Sequence, residues 1–501
     1  MDYTNNMKEV CTMRKTIAVI MSIVMIVSML CVGISATPAG TAITDAAGFA
    51  AMDPAGSYYL DADITVDTTY ATAFTGNFDG NGHTITTSVP LFAEVGGGSF
   101  KNLTIKGKFE TTEENVYGAG LANRVTANTK TTFENIVNYA DILTVHRAGG
   151  IVAQVNAGAN ESASTETIFT KCFNYGKVVG TNMVGGLVGY SQGAKTTFVD
   201  CVNMGDVSDS SGLAGGIIGR DAGDLKTGSS FFTITVTNCY NGGKISGTSN
   251  VGGIVGYMKS IVANVSGCVN VGEVSSTTND AGGIVGHIGA KDYLATANIK
   301  NCKNFGTINY TGDNATGSAA GIAAYCYGSG DVGNVMIEDC CNYGAINSTK
   351  FASHFIGYVN NLKATIKNCT GAAAITDENY KVIVGCSSAG VSDGTFAYGF
   401  NFAGITLKNG DATDRFSYAT AEANAGNIIS LREYMEKCPG VITYADVAVP
   451  QAPAAPTPAG NTNDPVTPPA PSTGDSFVIY AVVAVVAVLG VAFVAKKRVS
   501  D

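Results

Sequence analysis

The chain has 501 residues, of which 45% are hydrophobic, 14% are charged and 62 are glycine. Globular proteins average roughly 25% charged residues and about 7% glycine, so this chain is poor in charge and rich in glycine. Its mean hydropathy of +0.17 excludes a wholly disordered chain, because disorder requires low hydrophobicity together with high net charge. With no Trp and only four His, the chain offers little for metal or histidine-based chemistry, and we expect neither a metal site nor a cofactor.

Residues 1–36 are typical of a secretory signal peptide. Arg14 and Lys15 precede a long apolar run, residues 17–34, and small residues follow it. The length of the apolar run leaves an uncleaved membrane anchor as the alternative. In either case we expect the rest of the chain to be exported.

The C-terminal part of the chain has the composition of a stalk followed by a membrane span. Residues 446–473 contain eight of the twelve prolines, which predicts an extended spacer. Residues 477–495 are apolar and long enough to cross a bilayer. Lys496, Lys497 and Arg498 follow them and predict a cytoplasmic tail.

The order of spacer, APSTGD motif, apolar segment and basic tail resembles the wall-sorting signal of Gram-positive surface proteins. Ala470 stands where that signal usually has Leu. The resemblance implies that a sortase cuts between Thr473 and Gly474 and links the chain to peptidoglycan, so sortase and peptidoglycan are the expected partners. The alternative is a permanent membrane anchor with the N-terminal part outside. The implied recognition residues are Ala470, Pro471, Ser472, Thr473 and Gly474.

Charge excludes one class of partner. Residues 37–473 contain 24 basic and 36 acidic residues, a formal net charge of −12. Such a surface repels phosphate groups, and we exclude nucleic acid as a ligand.

An internal repeat governs the middle of the chain. Its first part is the motif Cys-x-Asn-x-Gly-x-Val/Ile, its second is a GGIVG-type run 13 or 14 residues later in most copies, and its third is an alternating apolar and polar segment before the next Cys. The steps between cysteines are 29, 38, 29, 34, 38 and 29 residues. The cysteines at this position are Cys172, Cys201, Cys239, Cys268, Cys302, Cys340 and Cys369.

Three short strands in about 30 residues predict a parallel β-helix with one coil per repeat. A β-propeller is the alternative, but its blades need roughly 40–45 residues. We expect the variable step lengths to fall in one loop, between the GGIVG strand and the next alternating strand. Helices at residues 45–52, with Asp45 as N-cap, and at residues 421–437 are predicted to cover the two open ends.

The GGIVG runs, the CxNxG turns and the opening FDGNGHTI at residues 78–85 resemble the GLUG-type repeats of bacterial surface proteins. The resemblance covers about residues 56–375 and implies an all-β, right-handed parallel β-helix with a surface or adhesion role. The predicted domains are a signal peptide at 1–36, the β-helix at 37–375, a capping region at 376–445, a wall spacer at 446–473 and the sorting signal at 474–501.

The repeated cysteines and asparagines have structural interpretations. Equivalent residues of stacked coils lie about 4.8 Å apart, and an inward Cys behaves as a small apolar side chain. We therefore predict reduced thiols rather than disulfides, and no zinc site, because no CxxC motif occurs. The Asn two residues after each Cys either faces inward as well or turns a corner in left-handed geometry.

One outward position carries the candidate ligand-binding residues. The residue that follows each GGIVG-type strand is aromatic or cationic in most copies, and alternation places it outward. Stacking predicts a flat strip suited to sugar faces or, through arginine, to acidic glycans. The alternative is that these side chains only stabilise the sheet. The strip is Arg124, Gln154, Tyr190, Arg220, Tyr257, His287, Tyr325 and Tyr358.

These observations predict a wall-anchored surface protein of a Gram-positive bacterium that acts as an adhesin or glycan-binding module. Its expected ligands are host or environmental glycans or proteins, and no catalytic residues are assigned. The alternative is a surface-attached polysaccharide lyase or hydrolase on the same fold. Such chemistry requires paired carboxylates on neighbouring coils, and the acidic residues do not recur at one position in two successive coils.

Overall fold

The structure is a computed structural model that describes residues 39–126, 129–156, 165–192, 195–221, 232–289, 296–328, 334–360, 363–367, 369–371, 384–387, 390–392 and 405–408. These residues form strands and turns, together with a short helix. The strands assemble into sheets of 30, 8 and 10 strands. Almost every pairing is parallel and joins a strand to its equivalent in the next coil, as between Val184 and Ala214. The described chain is therefore an all-β parallel solenoid, which confirms that part of the predicted fold.

Each coil crosses five ladders of strands, numbered here in chain order within one coil. Ladders 1 to 3 together make up the 30-stranded sheet. Ladder 1 consists of Thr41–Ile43, Ser57–Leu60, Asn77–Asp79, Gly98–Glu110, Lys130–Asn138, Glu166–Thr170, Lys195–Val199, Thr233–Thr237, Val262–Ser266, Thr296–Lys300, Asn334–Glu338 and Lys363–Lys367, extended by the antiparallel strands Gly390–Ser392 and Ile405–Lys408. Ladder 2 consists of Ile64–Val66, Thr84–Thr87, Phe173–Asn174, Val202–Asn203, Tyr240–Asn241, Val269–Asn270, Lys303–Asn304, Cys341–Asn342 and Thr370–Gly371. Gly98–Glu110 continues through ladders 2 and 3, and Lys130–Asn138 continues into ladder 2.

The remaining ladders complete the coil. Ladder 3 consists of Asp141–Leu143, Val178–Gly180, Val207–Asp209, Ile245–Gly247, Val274–Ser276, Ile308–Tyr310 and Ile346–Ser348. Ladder 4, the 8-stranded sheet, consists of Gly118–Ala119, Ala148–Gly149, Val184–Gly185, Ala214–Gly215, Val251–Gly252, Asp280–Gly282, Ser318–Ala320 and Phe351–Ser353. Ladder 5, the 10-stranded sheet, consists of Phe92–Val95, Ala122–Val125, Val152–Val155, Val188–Ser191, Ile218–Asp221, Val255–Met258, Val285–Ile288, Ala323–Tyr327, Ile356–Asn360 and Val384–Ser387.

The core is a set of columns in which equivalent side chains stack from coil to coil. Phe133, Phe169 and Phe198 occupy one register position of ladder 1. Their ring centroids are 4.7 Å and 4.9 Å apart, and all three rings are buried. Because each coil contributes one side chain to each column, stacking buries an apolar face that a single coil would expose.

A left-handed residue turns the chain between ladders 1 and 2. It lies directly before the repeated Cys, and the φ values at Lys171, Asp200, Asn238, Asn301 and Asp339 are between 49° and 55°. This turn points the following Cys inward, where the seven repeated cysteines are buried. The corner is therefore not made by the Asn two residues after the Cys, which was one of the two predicted possibilities.

The Asn of the repeat faces inward and forms a buried amide ladder. From Asn138 to Asn304, each side-chain Nδ2 donates to the Oδ1 of the Asn in the next coil over 2.7–2.8 Å. It also donates to the carbonyl two residues later, which belongs to Ala140 after Asn138 and to a Gly in the other copies. These amides are fully buried, and paired amides avoid the cost of burying a polar group without a partner. The amide ladder consists of Asn138, Asn174, Asn203, Asn241, Asn270, Asn304 and Asn342.

Coil length varies at two places, whereas the sequence predicted one. The predicted place is between ladders 5 and 1, where three residues separate Ser191 from Lys195 but eleven separate Asp221 from Thr233. The second is the turn between ladders 3 and 4. Three residues separate Gly247 from Val251, and seven separate Tyr310 from Ser318. A turn can lengthen at either place because neither interrupts a ladder.

A short helix covers the N-terminal end of the described solenoid. It spans Ala46–Ala50, and the Asp45 side chain accepts a hydrogen bond from Gly48 N over 2.8 Å, as an N-cap does. Phe49 of this helix packs against Phe78 and Phe92, with centroids 6.0 Å and 5.4 Å away. The predicted N-terminal cap and its N-cap residue are therefore present.

Several predicted segments lie outside the described residues. They are the signal peptide, the helix at 421–437, the spacer at 446–473 and the sorting signal with its apolar segment at 477–495. Within the part of the chain that the structure describes, no helix is long and apolar enough to span a bilayer.

Candidate functional site

The predicted strip residues lie in one register column of ladder 5. Arg124 pairs with Gln154, Gln154 with Tyr190, and Tyr190 with Arg220. The column continues through further pairs on the following coils, Arg220 with Tyr257, Tyr257 with His287, His287 with Tyr325 and Tyr325 with Tyr358. The structure thus brings all eight side chains into one line on adjacent strands.

The strip is not flat, because it forms one wall of a concave corner. The glycine pairs between ladders 4 and 5 make this corner and lie so close to the next coil that a Cβ at Gly186 would overlap the carbonyl of Gly216 and the side chain of Asn203. The turn brings strip residues against the residue seven positions earlier, as Arg147 meets Gln154, Asp280 meets His287 and Phe351 meets Tyr358. We call the resulting surface the corner groove. Its second wall includes Tyr117, Arg147, Asn250, Asp280 and Phe351.

The N-terminal half of the corner groove is rich in arginine. Arg147 donates to Gln154 Oε1, and its guanidinium lies 4.8 Å from the centroid of the Tyr190 ring. Arg220 lies between two rings, 5.3 Å from Tyr190 and 5.5 Å from Tyr257. These contacts cover Tyr190, which is only 4% exposed. This part of the strip is therefore a stack of cations and rings that stabilises the sheet.

In the C-terminal half of the corner groove, stacked rings cover one another's faces. His287 and Tyr325 are 4.6 Å apart with planes at 19°, and Tyr325 and Tyr358 are 5.0 Å apart at 4°. Stacked rings present their edges to the groove. The expected platform for sugar faces is thus absent along this stretch of the strip. The stack changes at Tyr257. Its ring plane makes an angle of 64° with that of His287, and the two ring centroids are 4.6 Å apart.

An open pocket of about 310 Å³ lies where the stack changes geometry. We call it the groove pocket. The strip contributes Tyr257, His287 and Tyr325 to its lining, and Tyr327 reaches it from the same strand as Tyr325. The turns before ladder 4 contribute Asn250, Asn279, Asn314 and Thr316, and Asp280 is the first residue of a ladder 4 strand. Aromatic rings with a few convergent polar groups are typical of small-ligand sites.

A buried carboxylate lies in the groove pocket beside the histidine of the strip. Asp280 is 3% exposed, its Oδ2 lies 3.2 Å from His287 Nδ1, and its Oδ1 accepts from Ser318 Oγ over 3.1 Å. Burial raises the pKa of Asp280, and the contact with His287 opposes this rise. The carboxylate fixes the orientation of the imidazole and leaves Nε2 as the ring nitrogen not engaged by Asp280.

The Ser318, Asp280 and His287 cluster does not form a nucleophilic triad. In such a triad the base contacts the serine hydroxyl, whereas Ser318 contacts the carboxylate and donates to the carbonyl of Ala324 over 2.8 Å. Ser318 is also fully buried. The geometry therefore provides an oriented imidazole and a carboxylate, but no accessible nucleophilic serine in this cluster.

Sequence reasoning identified the strip but missed the second wall. Asp280, Asn314 and Tyr327 were not singled out, because the residues at the position of Asp280 share no chemical type and Asn314 and Tyr327 lie outside the repeated strip position. The available signal was the length of the segment between Tyr310 and Ala319, which is longer than in the neighbouring coils and contains Asn314 and Thr316. The described residues contain no group of three or more His, Cys, Asp and Glu side chains placed to hold a metal ion.

Comparison with known proteins leaves the family open. No family model matches the chain, and no curated protein matches it. Among solved structures, a proposed immunoglobulin A1 protease from Bacteroides ovatus is similar over 74% of this chain and 85% of that chain. The sequence identity is 16% and the TM-score is 0.30. At these values the similarity supports no conclusion about fold or function.

Proposed function

We propose that this chain is a glycan-binding surface protein and that the corner groove is its binding surface. The observation that supports this most directly is the groove pocket, where aromatic edges, side-chain amides and one carboxylate converge on a space of about 310 Å³. Sugars carry many hydroxyl groups on an apolar ring, so they match a surface of hydrogen-bonding groups interleaved with aromatic carbon. The groove favours recognition through ring edges and amides rather than through stacked ring faces.

A substitution that keeps the stack and removes only the hydroxyl groups tests this proposal. The triple variant Tyr257→Phe, Tyr325→Phe and Tyr358→Phe preserves the ring stack, so its melting temperature should stay close to that of the wild type. Its binding to a glycan array should fall, because the hydroxyl groups no longer contact the sugar.

The matched control is Tyr139→Phe with Tyr175→Phe. These two rings stack at 5.0 Å on a different face of the solenoid, and removing their hydroxyl groups should leave glycan binding unchanged. Equal binding by the triple variant and the wild type, at equal melting temperature, would refute the role of the groove.

We further propose that the chain reaches the cell surface and is linked to peptidoglycan through Thr473. The support is the order of spacer, APSTGD, apolar segment and basic tail in the sequence. The same proposal includes membership of the GLUG-type repeat proteins, which the repeats resemble. It also includes a right-handed winding of the solenoid, because connections between parallel strands favour that hand. Thr473→Ala should move the protein from a fraction released by muramidase to one extracted by detergent. A wild type that already requires detergent would instead indicate a permanent membrane anchor.

A polysaccharide lyase or hydrolase is the second candidate, and the Asp280–His287 contact favours it. An imidazole oriented by a carboxylate is suited to proton transfer. Asp280 is the carboxylate among the described residues that line the groove pocket, whereas glycoside hydrolysis generally uses two. New reducing or unsaturated ends after incubation with pectin, mucin glycans or hyaluronan, lost in His287→Gln, would establish this activity.

A further inference from the structure

The groove pocket owes its polar lining to one lengthened turn. The turn between Tyr310 and Ser318 has seven residues, whereas the equivalent turn after Gly247 has three. The added length brings Asn314 and Thr316 to the rim of the pocket. The pocket therefore belongs to this coil and its neighbours rather than to the general repeat.

Hydrogen bonds hold the amide groups of the pocket in place. Asn279 Oδ1 accepts from Asn314 Nδ2 over 2.6 Å, and Asn279 Nδ2 donates to Ser249 Oγ over 2.7 Å. Asn314 Oδ1 also accepts from the backbone N–H of Thr316 over 3.1 Å. Because a side-chain amide has two N–H groups and an oxygen with two lone pairs, these asparagines keep further capacity for a ligand. Amides that are already ordered lose little conformational freedom on binding.

The charge of the pocket selects against acidic ligands. Asp280 is buried there, and the described lining includes neither Lys nor Arg. His287 is the basic group of the lining, and its Nδ1 is already engaged by Asp280. A ligand carboxylate would face another carboxylate without a compensating cation, which is unfavourable in a partly desolvated site. The arginines of the groove lie further toward its N-terminal end, at Arg147 and Arg220.

We propose that the groove pocket is a subsite for one neutral or N-acetylated pyranose unit of a glycan, an inference that rests on the proposed glycan-binding function. The volume of about 310 Å³ lies at the lower end of the range for ligand pockets, which suits one ring rather than a longer oligosaccharide. The tyrosine edges contact the ring, the asparagine amides bind its hydroxyl or acetamido groups, and Asp280 accepts from a hydroxyl.

Titration calorimetry with defined oligosaccharides tests the subsite. The probes are tetramers of N-acetylglucosamine, mannose and galacturonate, added to the mature protein at neutral pH. Asn314→Ala changes the pocket without altering a strip residue, and Tyr327→Ala removes a pocket ring whose centroid lies 6.4 Å from that of Tyr325 while keeping the strip residues themselves. The control is Asn182→Ala, an exposed residue in the corresponding turn of an earlier coil. Melting temperatures of all variants verify folding.

The expected result is binding of a neutral or N-acetylated tetramer that weakens about tenfold or more in both pocket variants. The control should bind as the wild type does, and the galacturonate tetramer should bind least. Normal glycan binding by both pocket variants overturns the subsite and leaves the groove function standing. Strongest binding of galacturonate overturns the proposed ligand class. If neither these tetramers nor a glycan array detects binding, the proposed function fails and the subsite fails with it.

Discussion

Asn342, the last asparagine of the amide ladder, meets a histidine where the preceding asparagines meet an asparagine. The next coil has Gly371 in the position of the Asn, and in the coil of Asn342 itself His354 takes the position of the corner glycine. The imidazole Nδ1 lies 3.1 Å from Asn342 Nδ2 and accepts its hydrogen bond. The exchange therefore fills the space that the missing side chain would leave and ends the amide ladder without an unpaired donor.

We predict that Asn270→Ala strongly destabilises the solenoid. Asn270 accepts from Asn241 over 2.7 Å and donates to Asn304 and Gly272. Its removal leaves several buried polar groups without partners, at a cost of roughly 2–4 kcal/mol. Urea unfolding measures this, with Asn264→Ala as the control, because Asn264 lies on the outer side of the same coil. Equal losses in the two variants would contradict a special role for the amide ladder.

Acid should weaken the fold through His354. Burial lowers the pKa of His354 to about 4, whereas an unfolded histidine titrates near pH 6.5. Between these values the unfolded chain binds the proton and the folded chain does not, so stability is lost as the pH falls, by about 3 kcal/mol in total. His354→Gln retains an acceptor for Asn342 and should remove this loss.

The difference between wild type and His354→Gln isolates this effect. Burial raises the pKa of Asp209 and of Asp221 to about 6, and these groups add stability as the pH falls through that value. They are present in both proteins and cancel in the difference. Between pH 7 and pH 4.5 the unfolding free energy of the wild type should therefore fall further than that of His354→Gln. Parallel pH curves for the two proteins would contradict the assignment.

At the scale of the strand and its turn, the repeated cysteines behave as packing groups. Cys201 Sγ lies 3.4 Å from Val199 O and 3.5 Å from Phe169 O, and the other repeated thiols make similar contacts. Burial raises the pKa of Cys172, Cys239 and Cys302 well above the usual range. A buried thiol that remains protonated reacts slowly, because the thiolate is the reactive form.

We therefore predict that all seven repeated cysteines of the protein are reduced. Denaturation in the presence of an alkylating reagent, followed by intact-mass measurement, should show every one of them modified. A denatured sample in which several pairs resist alkylation until a reductant is added would show disulfides instead. Without denaturant, the same reagent should modify few of these thiols, since they are buried.

The strands and their register could be predicted from the sequence, but the shape of the corner groove could not. Alternation and the step between cysteines determine which residues share a column, as for Tyr257 and His287. The angle between ladders 4 and 5 depends on the backbone path through the glycine pairs, and glycine permits many paths. Asp280 was missed for another reason, since the equivalent positions hold Leu213 and Ser318, which share no chemistry with it.

At the scale of the whole molecule, each coil contacts chiefly the coil before it and the coil after it. Stability is then approximately a sum over coils and their interfaces, and no single coil is indispensable. Deletion of residues 239–267, one full step of the repeat, joins Asn238 to Cys268 and preserves the phase of every ladder. We predict that this variant folds, with the circular dichroism of a β protein and a somewhat lower melting temperature.

The control is a deletion that breaks the phase. Removal of residues 239–253 takes out about half a step and places ladder 5 where ladder 2 should follow. Inward and outward side chains then exchange positions, and this variant should aggregate or remain unfolded. If both deletion variants fold equally well, the contacts between coils do not depend on the register of their strands.

The two places where coil length varies lie on either side of the corner groove. One is the turn that enters ladder 4, and the other is the connection that leaves ladder 5. The buried columns of phenylalanine, cysteine and asparagine lie elsewhere in the coil and are insensitive to either length. Mutation and selection can therefore lengthen or replace these segments one coil at a time, and each change alters what borders the groove while the core keeps its repeat. The architecture separates the residues that maintain the fold from those that set specificity, so proteins with the same solenoid can diverge in the ligands they recognise.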